Sequence, residues 1–201
     1  MKKANKGRLF VMSGPSGTGK GTICKELLNR EDIYLSISNT SREIREGETD
    51  GVTYHYVTKE KFEQMIANDE MLEYAQYAGN YYGTNKKRVL DALESGKNVL
   101  LEIEPQGALQ VNKAYPEAVL IFVLPPSAAE LEKRLVERGR ESAELIQERM
   151  QAAKWEIEQC GKYDCCVVNY DLEECVQEVC AIFRKKVAEQ SFAEKILSEL
   201  N

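Results

Sequence analysis

The chain has 201 residues, with 27 Lys and Arg against 33 Asp and Glu and a single His, for a formal charge of −6. That length supports one domain with its own core and no need of disulfide staples, and 43% hydrophobic with 30% charged residues excludes disorder and collagen as overall descriptions. No apolar run approaches the ~18 residues of a membrane span, and the acidic balance argues against general nucleic-acid binding.

The start, Met1–Lys6, is basic, but the apolar stretch after it is only Leu9–Met12. That is too short for a secretory signal, so a cytoplasmic protein without a membrane partner is expected. Leu9–Met12 reads as the first strand, and after a glycine-rich turn a helix runs through Cys24, Leu27 and Leu28. From Ile37 to Thr84 the chain is rich in Tyr, Thr, Glu and Gly; the period-2 stretch Val52–Val57 and the many tyrosines predict small antiparallel strands with one wet face. A short helix near Lys59–Asn68 interrupts them, and the whole segment reads as an insertion.

Beyond it a helix ended by Gly96 precedes a strand at Asn98–Ile103. A third strand, Val119–Leu124, stops at Pro125 and Pro126. Ser127 and Glu130 form a capping box for a helix reaching about Arg138, and another helix spans about Ser142–Cys160 until Gly161. Cys165–Val168 is a fourth core strand, and Asp171 with Glu174 opens a long C-terminal helix whose stripe of Cys175, Val179, Ile182 and Phe183 is core packing. Alternating short strands and helices predict an α/β fold with a mostly parallel sheet covered by helices. Cys24, Cys160, Cys165, Cys166, Cys175 and Cys180 are expected to be reduced thiols, with Cys165 and Cys166 as small buried hydrophobes. Without a Cys-x-x-Cys pair, and with His55 distant along the chain, a zinc site is not expected; His55 itself is expected to be structural or exposed.

One motif carries chemistry by itself. Gly14-Pro15-Ser16-Gly17-Thr18-Gly19-Lys20-Gly21-Thr22 contains Gly-x4-Gly-Lys between a predicted strand and a predicted helix, the context a phosphate-binding loop requires. Glycines let successive N–H groups converge on one anion, the helix N-terminus adds partial positive charge, and Lys20 reaches terminal phosphates. A dinucleotide-binding turn fits poorly, because its third glycine would fall at Thr22. The usual hydroxyl directly after the lysine is replaced by Gly21, with Thr22 one place later, so Mg²⁺ is expected to be held mainly by phosphate oxygens and water.

Further motifs stand in one order along the chain: Thr40-Ser41-Arg42, Arg45, Gly47-Glu48, Gly51 and Tyr54, then Glu73-Tyr74-Ala75-Gln76, Gly79–Gly83 and Glu102-Ile103-Glu104-Pro105-Gln106-Gly107-Ala108. Together with the phosphate loop, from about Gly7 to about Lys186, they resemble the guanylate kinase family. The resemblance implies a three-layer P-loop fold with a central parallel sheet, a small mixed α/β GMP-binding insertion and a helical lid. It divides one domain, 1–201, into a core of 1–36, 87–133 and 151–201, a GMP-binding subdomain of 37–86 and a lid of 134–150. It implies ATP and GMP as substrates, GDP and ADP as products, dGMP as a further acceptor, a place in purine nucleotide metabolism and GMP recycling, and Mg²⁺ with ATP.

The same resemblance implies roles by position. Gly14 to Thr22 would hold ATP, with Asn169 and Arg138 near the adenine. Ser38, Arg42, Arg45, Glu48, Tyr54 and Tyr82 would surround the GMP phosphate. Glu73 and Thr84 would face the guanine edge, helped by Glu104; a carboxylate there accepts from both N1–H and N2–H₂, a donor pair that adenine lacks. Thr22 and, through water, Glu102 would serve the metal. Lys20, Arg134, Arg138 and Arg149 would be catalytic, with Arg140 as extra surface charge. Glu102-Ile103-Glu104 stands where many members have Asp-Ile-Asp, and Pro105 where an apolar or aromatic residue is usual. Two other readings compete: a scaffold module that binds phosphorylated peptides, against which the intact Lys20 and glycines speak, and a P-loop kinase for AMP, a pyrimidine nucleotide or a phosphorylated ribose, against which Arg42, Arg45 and Glu73 speak. The C-terminal helix offers an interface for a homo-oligomer.

Overall fold

The computed structural model describes residues 6–77, 79–137 and 143–184. In chain order the elements are β1 (Leu9–Ser13), α1 (Lys20–Arg30), β2 (Ile33–Leu35), β3 (Asn39–Thr40), β4 (His55–Tyr56), α2 (Lys59–Ala67), β5 (Met71–Tyr77), β6 (Asn80–Asn85), α3 (Lys86–Glu94), β7 (Asn98–Glu102), α4 (Pro105–Ala114), β8 (Val119–Leu124), α5 (Ala128–Glu137), α6 (Ala143–Glu158), β9 (Cys165–Val168) and a last helix, α7, over 172–184. Five strands pair in parallel in the order β2-β7-β1-β8-β9. β1, β7 and β8 are buried on both faces, which is why they are continuous apolar runs in the sequence.

The two-residue alternation of a strand divides these runs between two cores. Phe10, Met12, Ile121 and Val123 pack with Ile23, Cys24 and Leu27 of α1 and with Cys175, Val176 and Val179 of α7. Leu9, Val11, Val99 and Leu101 pack on the other face with Val89 and Leu93 of α3 and Ala108 and Val111 of α4. Each fully buried aliphatic chain contributes roughly 1.5–3 kcal/mol. β1 lies centrally, with the chain's earlier crossover on one side and the later one on the other, so the crevice beyond its carboxyl end is where such a sheet admits a ligand.

A second sheet, β4-β3-β6-β5, is mixed: β3 runs parallel to β4, while β6 is antiparallel to β3 and β5. It has a core of its own in Phe62, Met65 and Met71, with α2 capped by Thr58, whose hydroxyl accepts from Lys61 N. α5 and α6 pack through Leu131, Leu135 and Ala153. The expected caps are in place: Ser127 Oγ accepts from Glu130 N at 3.1 Å and Asp171 Oδ1 from Glu174 N at 3.0 Å. Gly96, at φ 88°, closes α3 through bonds from Gly96 N and Lys97 N back to Leu93 O and Ala92 O.

Three expectations need correction. Val52–Val57 is not a run of antiparallel strand: Val52 and Thr53 belong to a tight loop whose amides return to Thr49 O, Val52 is 70% exposed, and the pairing is parallel, His55–Tyr56 with β3 and Tyr54 in an isolated bridge with Asp50. Cys165 and Cys166 are not buried, because β9 is the edge of the main sheet; Cys165 is half-buried and Cys166 exposed. Nor are all thiols reduced. After α6 a single 3-10 turn, Cys160–Lys162, brings the chain back to β9, and Cys160 and Cys166 are joined in a disulfide with Cα atoms 6.8 Å apart. β2 escaped the sequence reading: three half-buried residues at an edge carry too little pattern. His55 is half-buried, its pKa lowered by burial and by Arg88.

Candidate active site

Past Ser13 the chain must turn sharply under the end of β8 before α1 begins. Gly14 has φ 136°, and a side chain there would drive into the carbonyl oxygen of Val123. Gly19 has φ 90° and occupies the N-cap of α1 without a side-chain cap; a Cβ there would strike the amide of Asn169. The first amides of α1 therefore open onto the loop, where the helix dipole adds positive potential. Lys20 Nζ donates to Gly14 O at 2.6 Å and to Pro15 O at 2.9 Å, so the loop is wrapped around the ammonium. Thr18 Oγ1 donates to Pro15 O at 2.9 Å, and Asn169 Nδ2 to Thr18 O at 2.8 Å.

One arginine reaches this loop from outside, and a second reaches the asparagine that braces it. Arg149 Nη1 on α6 donates to Ser16 Oγ at 2.9 Å. Arg134 on α5 pairs through Nε with Glu130 at 2.9 Å and donates from Nη2 to Asn169 O at 3.2 Å. Arg138 and Arg140 lie outside the described residues.

A cleft of about 390 Å³ opens in front of the loop, bounded by Lys20, Gly21, Ser36, Tyr54, Glu102, Glu104 and Glu156. A second cavity of about 360 Å³ adjoins it, with Ser38, Tyr54, Glu102 and Glu104 lining both. Arg42, Arg45, Glu48, Glu73, Tyr82 and Arg149 line the second. Its outer end is cationic but braced. Arg42 Nη2 bonds Glu48 at 2.8 Å, while the other Glu48 oxygen accepts from Arg45 N and Tyr56 OH, each at 2.9 Å. These donors, Arg42 first, hold the Glu48 carboxyl down at about 2. Tyr54 and Tyr82 meet edge to face at 5.9 Å, and the Arg42 guanidinium lies 5.7 Å from the Tyr54 ring centroid.

The inner end is different. Glu73, on β5, is 5% exposed and accepts from Thr84 Oγ1 on the paired strand β6 at 2.6 Å. Its other oxygen faces Gly107 of α4, where a side chain would not fit. Burial pushes the carboxyl up to about 7, against the bonds from Thr84. A buried carboxylate with one oxygen engaged and one turned toward a cavity is an acceptor awaiting a donor.

Most residues expected at the site thus converge. Gly14, Ser16, Gly17, Gly19, Lys20 and Gly21 line the first cavity, with Pro15 and Thr18 holding the loop from beneath. Thr84 stands behind Glu73, and Asn169 and Arg134 behind the loop. Thr22 is exposed and lines neither cavity. Sequence reading missed Glu156 and Gly107; Gly107 lay inside a quoted motif, whereas Glu156 carried no signal beyond its spacing from Arg149. Among the described residues no group of three or more His, Cys, Asp or Glu could hold a metal ion. Glu102, at the cleft, would suit a hydrated Mg²⁺ as a partner to its water.

A family model described as guanylate kinase matches residues 6–186. A guanylate kinase of Carboxydothermus hydrogenoformans is 52% identical over 179 residues, covering 89% of this chain and 88% of that protein. One from Thermus thermophilus is 53% identical over 180 residues, covering 90% and 81%. The crystal structure of guanylate kinase from Anaplasma phagocytophilum superposes with a TM-score of 0.75 at 33% identity, covering 90% of this chain and 87% of that one. Likeness of this extent in sequence and in fold, around a lysine-bearing phosphate loop that faces a second cavity, makes this chain an enzyme, a kinase that belongs to the guanylate kinase family.

Proposed function

We propose that the enzyme transfers the γ-phosphoryl group of ATP to GMP, giving ADP and GDP, with dGMP as a second acceptor. The observation that supports this most is the junction of the two cavities: a backbone anion cradle at Lys20 opens directly onto a pocket with arginines at one end and a buried Glu73 at the other. The amides of Gly14 to Gly21 and Lys20 take the ATP phosphates. Ser38, Arg42, Arg45, Tyr54 and Tyr82 take the GMP phosphate, with Glu48 keeping Arg42 in place. Glu73, set by Thr84 and flanked by Glu104, accepts from the guanine N1–H and N2–H₂.

Phosphoryl transfer asks the protein for alignment and for positive charge on the spreading negative charge, with little covalent chemistry. Lys20 and Arg149 already converge on the loop at the junction, and Arg134 and Arg138 complete the cationic set. Mg²⁺, when bound with ATP, neutralises phosphate charge, and Glu102 would hold its water. In this reading 134–150 is a lid that closes with the GMP-binding subdomain 37–86 over the core, 1–36, 87–133 and 151–201, to exclude water. Cytoplasmic purine metabolism and the recycling of GMP follow as its setting.

The test is ADP release with Mg²⁺ and ATP against a panel of GMP, dGMP, AMP, CMP, UMP and ribose bisphosphate. GMP and dGMP are expected to turn over far faster than the rest. Preference for AMP, a pyrimidine nucleotide or the ribose compound would overturn the assignment.

A further inference from the structure

β5 carries Glu73 and is the edge of the second sheet. Pairing with β6 uses one side of its backbone and leaves the N–H and C=O groups of the other side without a strand. A bulge between Met71 and Glu73 also interrupts the register with β6 immediately before the glutamate. An edge strand with a broken ladder is free to slide, and a slip of one residue turns every side chain to the opposite face. For Glu73 that would mean leaving the second cavity.

The open side of β5 is taken by α4. Gln110 Oε1 accepts from Tyr74 N at 3.2 Å, and Gln110 Nε2 donates to Tyr74 O at 2.8 Å. The side-chain amide thus supplies both groups that a neighbouring strand would supply, at the residue directly after Glu73. An acceptor beside a donor is what a peptide unit requires, and neither a carboxylate nor a hydrocarbon side chain offers it. The Tyr74 ring is exposed, so what Gln110 holds is the strand's backbone. Gln110 lies three positions after Gly107, which puts both on the same side of α4. That side makes room for the Glu73 carboxyl at Gly107 and grips the next residue at Gln110. α4 is fixed in turn, because Ala108 and Val111 are buried in the main core.

Resting on the proposed recognition of guanine by Glu73, we propose that Gln110 is a positioning residue for acceptor specificity: its two bonds to Tyr74 lock the register of β5 against α4 and so aim the Glu73 carboxylate at the base. Thr84 holds the same carboxylate through its side chain, from β6. Gln110 holds it through the backbone, from the core. The two together leave Glu73 one position, in which it accepts from N1–H and N2–H₂ at once. A carboxylate that drifts can still meet one donor but not both, so the loss falls on discrimination between purines rather than on phosphoryl transfer.

The test uses the full-length enzyme with Gln110→Met, which keeps the bulk and removes both bonds, and Gln110→Ala as a second variant. Each is assayed with GMP and with inosine monophosphate, which has N1–H but lacks N2–H₂. For both variants the KM for GMP should rise about 10-fold, the size expected for two lost hydrogen bonds, with kcat at saturating GMP and the KM for ATP within about twofold. The preference for GMP over inosine monophosphate should fall about fivefold, because only GMP loses its second contact. An unchanged KM for GMP and an unchanged preference in a folded variant would overturn the inference. So would an equal loss for both acceptors accompanied by a fall in kcat, or failure of both variants to fold, since either would make Gln110 a residue of the fold alone. A wild-type enzyme that fails to phosphorylate GMP, or that takes inosine monophosphate equally well, would refute the proposed function instead, so the two failures are separable.

Discussion

The two cavities are built by different means. The phosphate loop itself faces the cleft largely with main chain, through Gly14, Gly17, Gly19 and Gly21, and it is fixed by β1 and α1, elements whose side chains fill two large cores. The second cavity is made mostly of side chains from β5, β6, the end of β7, α6 and the loops on either side of β3, over a small core of Phe62, Met65 and Met71. A main-chain cradle grips any phosphate and discriminates little. A side-chain pocket on a lightly packed sheet can read a particular base, and it can shift as a unit because few buried contacts tie it down.

Changing the cradle should have the largest effect. Lys20→Ala is expected to lower kcat by at least about 10²- to 10³-fold, the size seen when one charged contact to a transition state is lost, while circular dichroism and GMP binding stay as in wild type. A loss of GMP binding as large as the loss of rate would mean that the two cavities do not function separately. Next comes the core of the second sheet. Phe62→Ala should cost about 3–5 kcal/mol of stability in that region, and hydrogen exchange should speed up across residues 37–86 before it does in β1 and β8. Uniform acceleration would show that the two sheets unfold as one.

A finer contrast concerns what the second cavity reads. Glu73→Gln should raise the KM for GMP by about 10- to 100-fold, corresponding to roughly 1–3 kcal/mol for a mismatched buried donor, with the KM for ATP nearly constant. The same carboxyl supplies a pH dependence. Its folded pKa of about 7 lies above its ordinary 4.5, so the ligand-free folded state binds more protons than the unfolded state between those values. Stability therefore falls as pH rises from about 4.5 through 7. Guanine needs the ionised form, so the KM for GMP should rise several-fold as pH drops from 8 to 6, and Glu73→Gln should flatten that dependence. The smallest effect is expected far from both cavities. Arg30 and Glu173 form a two-pronged pair at 2.7 and 2.6 Å between α1 and α7; it is exposed, so Arg30→Ala should leave turnover unchanged and move the melting temperature by no more than about 2 °C.

The same contrast explains what could be read from the sequence. The cradle was legible because main-chain geometry imposes spacing: a strand, glycines at positions needing positive φ, a lysine and a helix must follow one another. β1, β7 and β8 were legible because burial on both faces leaves continuous apolar runs. Arg42, Arg45, Glu73 and Tyr82 are separated by up to 40 residues along the chain, and composition alone left the two arginines indistinguishable from a solvated loop; family resemblance located them. Glu156 was invisible because its place in the cavity wall depends on how α6 packs, which a helix's own sequence does not specify. Val52–Val57 misled because an alternating pattern arises in a tight loop as readily as in a strand, and Cys165 and Cys166 misled because an apolar run does not tell an edge strand from a central one.

The sharpest test is a crystal structure with ADP and GMP bound together. The ADP phosphates should lie on the amides of residues 14–21 beside Lys20, the GMP phosphate between Arg42 and Arg45, and the guanine N1–H and N2–H₂ on Glu73. Guanine placed anywhere other than against Glu73, or a GMP phosphate outside the Arg42–Arg45 end, would contradict it.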